Sequence, residues 1–143
     1  GNAGLTPAFA WVTLDDDGTD TSSETIFGVG SAVTSTTHNM SVVHDSSTDG
    51  TRIYSLLDGV YKVTGAFIID DSSGTSAEGV SDIKVDGSTV HTANFRAHQS
   101  VDPVERTHIY VGSINSGSYV TATYDGTSAR YDQSSVLLVE RLS

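Results

Sequence analysis

The sequence predicts an all-β fold, and three observations lead to that prediction. Ser and Thr together account for 39 of the 143 residues, whereas Lys occurs twice and Glu four times. Hydroxyl side chains and Asp compete with the hydrogen bonds of a helix, and β-branched residues lose rotamers there, so this composition favours strands and turns. Asp-Gly occurs five times and is a turn signal, because Gly tolerates positive φ. No segment of ten or more residues has the apolar stripe of a helix.

Between the turn signals, the apolar residues form about eight to ten short runs. Gly59–Asp70, with the sequence GVYKVTGAFIID, is the strongest strand signal. Val80–Val85 and Val90–Phe95 flank Asp86-Gly87, which predicts a type I′ hairpin. The other predicted strands are Ala8–Leu14, Ile26–Val33, Ser41–His44, Arg52–Leu57, Thr107–Ile114, Tyr119–Tyr124 and Val136–Leu142. This spacing indicates an antiparallel sandwich or jelly roll.

The organisation of the chain is simple. No change of composition marks a linker, so we interpret residues 1–143 as a single domain with a short arm at 1–7. Polar loops are predicted at 71–78, 96–104 and 126–135.

The charge of the chain disfavours two classes of partner. Eighteen acidic and seven basic residues give a net charge of −11. Such a surface repels phosphate backbones and anionic lipids, so we expect no nucleic-acid and no membrane partner. The absence of cysteine excludes disulfides and thiolate chemistry.

One segment has a spacing that metal sites use. In TLDDDGTDTSSE, residues 13–24, the carboxylates of Asp15, Asp17 and Glu24 stand where a calcium loop has ligands. The first position is Thr where that loop needs Asp, and an acidic residue replaces its apolar anchor. The segment therefore predicts a solvated turn between two strands and leaves a weak cation site as the alternative.

The remaining polar residues give no pattern of an active site. The five histidines lack metal-ligand spacing, although a histidine on a strand, such as His44 or His108, can meet another residue across a sheet. There is no Gly-x-Ser-x-Gly motif and no phosphate-binding loop. We therefore expect a protein that is not an enzyme, with no catalytic residue, metal or cofactor.

Several motifs in order resemble a known family. Asp58–Val63 is similar to the G-x-Y-x-[VF] strand of complement-globular-head and tumour-necrosis-factor-like jelly-roll domains. The hairpin at Val85–Gly87 falls where the family has a short hairpin. The turn Asn115–Val120 and the closing strand Ser134–Leu142 resemble later motifs of the family. The similarity covers about Ser31–Leu142, and Ser118 replaces the usual acidic residue after the turn glycine.

The resemblance implies a function as well as a fold. Small acidic domains of this type are similar to head decoration and fibre proteins of bacteriophage virions, and the family forms homotrimers. It implies a non-enzymatic cement protein on the outer surface of the capsid, with itself and the major capsid protein as partners. The alternative is the receptor- or glycan-binding head of a phage fibre or tail tip.

Two sets of residues are candidates for these contacts. The resemblance implies that an axis of three copies is lined by Tyr61, Tyr119 or Tyr124. The uncharged N-terminal segment carries the candidate partner-binding residues Leu5, Pro7, Phe9 and Trp11. For Phe9 and Trp11, the simpler interpretation is that they begin the first core strand.

Overall fold

The computed structural model describes residues 5–21, 23–71, 77–97, 103–126 and 129–143, which form twelve strands. The strands are β1 (Phe9–Leu14), β2 (Thr25–Ile26), β3 (Val33–His38), β4 (Met40–Asp45), β5 (Gly50–Ser55), β6 (Gly59–Asp71), β7 (Ala77–Val85), β8 (Ser88–Ala97), β9 (Val104–Ile114), β10 (Tyr119–Gly126), β11 (Ala129–Tyr131) and β12 (Val136–Arg141). The all-β prediction is confirmed. The described residues include no helix long and apolar enough to cross a membrane.

The strands build two antiparallel sheets of six strands each. Sheet A has the order β11-β6-β12-β1-β3, and β9 pairs with the other side of β6. Sheet B has the order β4-β5-β10-β7-β8, and β2 pairs with β10. The last strand, β12, lies between β6 and β1, so the first and last strands of the chain pair directly in sheet A. This crossing order, in two sheets that share one core, is a jelly-roll sandwich.

The core lies between the sheets and follows the two-residue period of the strands. In β6 the side chains of Tyr61, Val63, Phe67 and Ile69 are buried, and the residues between them face outward. Phe67 packs edge-on against Tyr131, with ring centroids 5.0 Å apart. The same core includes Phe27, Phe95 and Tyr124.

The glycine turns decide several strand boundaries. Asp86 and Gly87 both have positive φ, at 51° and 82°, which is the type I′ hairpin that the sequence predicts between β7 and β8. Gly28 and Gly30 also have positive φ, at 100° and 83°, and lie in a turn. The predicted strand Ile26–Val33 is therefore wrong, because the extended backbone of β2 ends at Ile26.

Other boundaries differ from the prediction as well. The polar segment of β3 and the short β11 are strands that the sequence pattern does not indicate. Asp125-Gly126, predicted as a turn, ends β10 and pairs with Gly79 and Val80 of β7. Parts of the predicted arm and loops, residues 1–4, 72–76, 98–102 and 127–128, lie outside the described residues.

Candidate interaction surface

The outward side of sheet A carries large apolar side chains. In β1 alternate residues are buried, which turns Phe9 and Trp11 outward with 37% and 38% of their surface exposed. In β9 the same alternation exposes Ile109 and Val111 by 43% and 53%. Solvent-facing positions of a strand are usually polar, so these four side chains mark a surface that needs an explanation.

The strand register places these side chains in neighbouring rows. One row runs across four strands as Trp11, Leu138, Thr64 and Ile109. Strands lie about 4.8 Å apart, so this row is about 14 Å long. Val136 lies on the same side, two residues from Leu138 along β12. We call Phe9, Trp11, Ile109, Val111, Val136 and Leu138 the apolar face.

The second row contains two charged side chains, whereas the first row contains none. It runs as Phe9, Glu140, Lys62 and Val111, with Glu140 and Lys62 directly opposite each other. The ring of His38 in β3 stacks on Phe9 with centroids 6.1 Å apart. One acid and one base cancel, so both rows are neutral at pH 7 although the chain carries −11. This is where two copies can meet without repulsion between acidic surfaces.

A groove of about 400 Å³ borders the apolar face. It lies beside β6 and β9, and its lining includes Ala66, Ile68, Thr107 and Ser134. Ala66 is the register partner of Val136 on one side and of Thr107 on the other, so the groove lies on the same outward side of sheet A as the apolar face.

The three tyrosines predicted at a trimer axis do not come together. Tyr61 is fully buried, donates its hydroxyl hydrogen to Leu57 O (2.7 Å) and accepts from Ser55 Oγ (2.8 Å). Tyr124 is 1% exposed and packs edge-on against the ring of Phe95. The prediction is corrected for both, because side chains inside the sandwich present no surface to another copy.

Tyr119 does reach the surface, but on sheet B. It lies beneath the guanidinium of Arg52, 4.7 Å from the ring centroid, and its ring is 5.4 Å from that of Tyr54. Tyr119 and Arg52 line a depression of about 150 Å³ whose lining also includes Lys84 and Glu24. Tyr119 therefore belongs to the surface opposite the apolar face.

The described part of the N-terminal arm is bound to the domain. Arg141 Nη1 donates to Thr6 O (2.7 Å), and Asn39 Nδ2 donates to Pro7 O (2.9 Å). Leu5 is half-buried. Phe9 and Trp11 belong to β1 rather than to an arm, yet they face outward and not into the core. The strand predicted at Ala8–Leu14 is therefore present, but Phe9 and Trp11 lie on its outward side.

The carboxylates of the possible calcium loop have separate protein partners. Asp15 accepts from Thr34 Oγ1 (2.7 Å), Asp17 accepts from the backbone N–H of Gln133 (2.9 Å), and Glu24 lies 3.4 Å from Lys84 Nζ. Among the described residues, no group of three or more His, Asp or Glu side chains could hold a metal ion. The arrangement matches the turn between two strands.

An unpredicted acidic cluster surrounds Arg130 in β11. The guanidinium lies within 2.9–3.5 Å of four carboxylates, those of Asp17, Asp20, Asp70 and Asp132. The hydrogen bond to Asp132, together with the neighbouring negative charges, raises the pKa of Arg130. This cluster ties the segment after β1, the end of β6 and the loop after β11 to one cation, so its role is structural.

The sequence pattern does not reveal Ile109, Val111 and Leu138 as surface residues. Thr107–Ile114 alternates between two sets of side chains, but the pattern does not say which set faces the core. Ile109 and Val111 look like the core set, whereas the structure buries His108 and Ile114 instead.

Comparisons with known proteins identify the fold and nothing finer. No family model and no curated protein matches the chain. Two solved structures of murine APRIL match with TM-scores of 0.60 and 0.61 at 11% and 9% identity, each covering 96% of this chain and 100% of that chain. Pika GITRL matches with a TM-score of 0.53 at 13% identity, covering 96% of both chains. These are jelly-roll domains of the tumour-necrosis-factor type, so the fold of this chain is a tumour-necrosis-factor-like jelly roll.

Proposed function

We propose that the protein is a non-enzymatic structural protein that assembles as a homotrimer through the apolar face of sheet A. The observation that carries the proposal is that face itself: four large apolar side chains between 37% and 53% exposed, on rows without net charge. The family resemblance of Asp58–Val63 and Ser134–Leu142 supports the number of copies. An interface of this kind needs roughly 1,000 Å² of buried surface, with an apolar centre.

The role of the trimer is the finer part of the proposal. We place it on the outer surface of a bacteriophage capsid, bound between copies of the major capsid protein as a decoration or cement protein. Three copies of one small contact bind with avidity, because the second and third contacts are intramolecular. Support comes from the resemblance of this acidic Ser/Thr-rich domain to virion proteins.

The first test is the mass in solution. Light scattering after size exclusion is expected to give about 45 kDa, three times the 15.0 kDa of the chain, at micromolar concentration and pH 7.5. A mass of 15.0 kDa under these conditions would overturn the homotrimer.

The second test concerns the particle. Electron microscopy of the source virion is expected to show regular density for this protein at three-fold or quasi-three-fold positions of the shell. Density confined to fibre tips would overturn the decoration role and leave the homotrimer standing.

The alternative function is a receptor- or glycan-binding head of a fibre or tail tip. The depression on sheet B favours it, since Tyr119, Arg52 and Lys84 together offer an aromatic ring and hydrogen-bond donors to a small polar ligand. Tyr131 falls within the predicted loop at 126–135 but does not contribute, because it is 2% exposed in β11. Density at fibre tips in the same micrographs would favour this alternative.

A further inference from the structure

Two histidines join the outer edges of the two sheets. In the described residues β8 is the last strand of sheet B and β9 the last strand of sheet A. His91 of β8 and His108 of β9 lie with ring centroids 5.1 Å apart, and their Nδ1 atoms are separated by 2.9 Å. His108 Nε2 lies 3.1 Å from Ser81 Oγ in β7. A chain of three polar side chains therefore crosses from one sheet to the other.

The contact between the two Nδ1 atoms limits how many protons the pair can hold. A hydrogen bond of 2.9 Å needs one N–H and one free lone pair, whichever ring supplies the proton. Two neutral rings meet this condition, and so does one neutral ring beside one imidazolium. When both rings are imidazolium, two N–H groups face each other and two positive charges are in contact. This second protonation is incompatible with the geometry.

The surroundings of His108 oppose its protonation. Its side chain is 6% exposed and packs edge-on against the rings of Phe67 and Phe95, at 5.6 Å and 6.5 Å. Burial, followed by the charge of His91, lowers the pKa of His108 to about 4.

Only one described charged group besides the pair acts on His108. The carboxylate of Asp82 in β7 favours the protonated ring, but it already accepts from Thr92 Oγ1 (2.7 Å) and Thr89 Oγ1 (3.2 Å). The other groups in contact with His108 are uncharged at neutral pH: Phe67 of β6, Ser81 of β7 and Phe95 of β8. Tyr131 of β11, which packs on Phe67, is also neutral, because burial raises its pKa.

We propose that His91 and His108 form an acid-sensitive latch that holds β8 against β9 at neutral pH and releases this edge when the second proton binds. In the described part of the chain, both β8 and β9 are edge strands with one partner each. The strand that moves is β8, because it has nine register positions on β7, interrupted by a bulge, whereas β9 has eleven on β6. Release exposes Phe95 and the aromatic core beside it. The latch lies at the edge of the sandwich and does not depend on the proposed assembly.

Hydrogen exchange of the full chain tests the latch. Protection factors, corrected for the pH dependence of intrinsic exchange, are measured at pH 7.0 and pH 4.5. In the wild type we expect amides of β8 to lose at least about tenfold in protection, while amides of β1 and β12 change less than about threefold. In His91→Gln, which removes the second charge but leaves His108 buried, the loss in β8 is expected to be at least about threefold smaller than in the wild type.

The matched control is His38→Gln. It removes an imidazole from β3 of sheet A, where the ring stacks on Phe9 and does not contact β8 or β9. It is expected to leave the loss of protection in β8 as in the wild type. The proposal is overturned if β8 loses protection equally in His91→Gln and the wild type. It is also overturned if both sheets lose protection together, since that is global unfolding.

A measurement on the wild type covers the case in which His91→Gln does not fold. Side-chain ¹⁵N spectra followed from pH 8 to pH 4 are expected to show the two rings taking up protons in two separated steps. Independent, simultaneous titration of both rings near pH 6.5 would contradict the latch.

Discussion

Replacing Val111 by Lys is the sharpest test of the apolar face, because the chain provides a matched control. Val111 in β9 of sheet A is 53% exposed, and Val43 in β4 of sheet B is 52% exposed. Val43→Lys therefore makes the same chemical change at the same degree of exposure on the other sheet. Both substitutions leave the buried core untouched, and we expect both monomers to fold.

The expected magnitude follows from the exposed fraction of Val111. Full burial of a valine side chain is worth about 2 kcal/mol, so covering the exposed half contributes about 1 kcal/mol per copy and about 3 kcal/mol per trimer. That corresponds to about 150-fold in the association constant of the trimer. Because the association constant of a trimer has units of M⁻², the concentration of half-dissociation varies as its inverse square root and rises about tenfold. Burying three lysine charges makes the effect larger.

Sedimentation velocity over a hundredfold range of protein concentration measures this shift. Val111→Lys is expected to dissociate at concentrations at least about tenfold higher than the wild type, and Val43→Lys at the wild-type concentration. Equal behaviour of Val111→Lys and the wild type would refute the assignment of the interface to sheet A. Dissociation of Val43→Lys to the same extent would place the interface elsewhere or on both sheets.

Three further outcomes are expected from the polar groups. Arg130→Gln leaves four neighbouring aspartates without their shared cation, and we expect chemical denaturation to show a loss of about 2 kcal/mol, larger at low salt. The pKa of His108 is lowered to about 4 from 6.5, so the unfolded chain binds more protons between these values. The contribution of His108 to the free energy of unfolding is therefore fully present above pH 6.5 and is lost as the pH falls towards 4. We expect a loss of about 2 kcal/mol after allowance for solvent screening, measured by urea titrations at stepped pH. Chelator is expected to change the melting temperature by less than about 1 °C, because the carboxylates of Asp15, Asp17 and Glu24 have separate protein partners. A shift above about 5 °C in millimolar calcium would contradict this.

The sequence predicts strands well where burial is periodic. The strand predicted at Gly59–Asp70 differs by one residue from β6, because Tyr61, Val63, Phe67 and Ile69 alternate with outward residues along its whole length. The hairpin at Asp86-Gly87 is equally local, since two adjacent positive φ angles need only those two residues.

The sequence predicts poorly what depends on distant partners. Val33–His38 has no buried alternation and is a strand because it pairs with β1. The strand predicted at Ile26–Val33 is wrong because Gly28 and Gly30 turn the backbone there, although the composition of this run is strand-like. The period of two also cannot say which set of side chains faces inward, so it does not separate the buried Tyr61 from the exposed Val111.

The two proposals use opposite sides of one strand, and this makes them separable. In β9 His108 points into the seam with β8, whereas Ile109 and Val111 point outward on the apolar face. Val111→Lys and His91→Gln change separate sets of contacts. We therefore expect Val111→Lys to keep the acid response of β8, and His91→Gln to sediment as the wild type does at pH 7.5. The effects of sites without shared partners add to within about 0.5 kcal/mol. If His91→Gln weakens association at neutral pH, the seam and the apolar face are coupled through β9, and the edge of the sandwich is then part of the assembly interface.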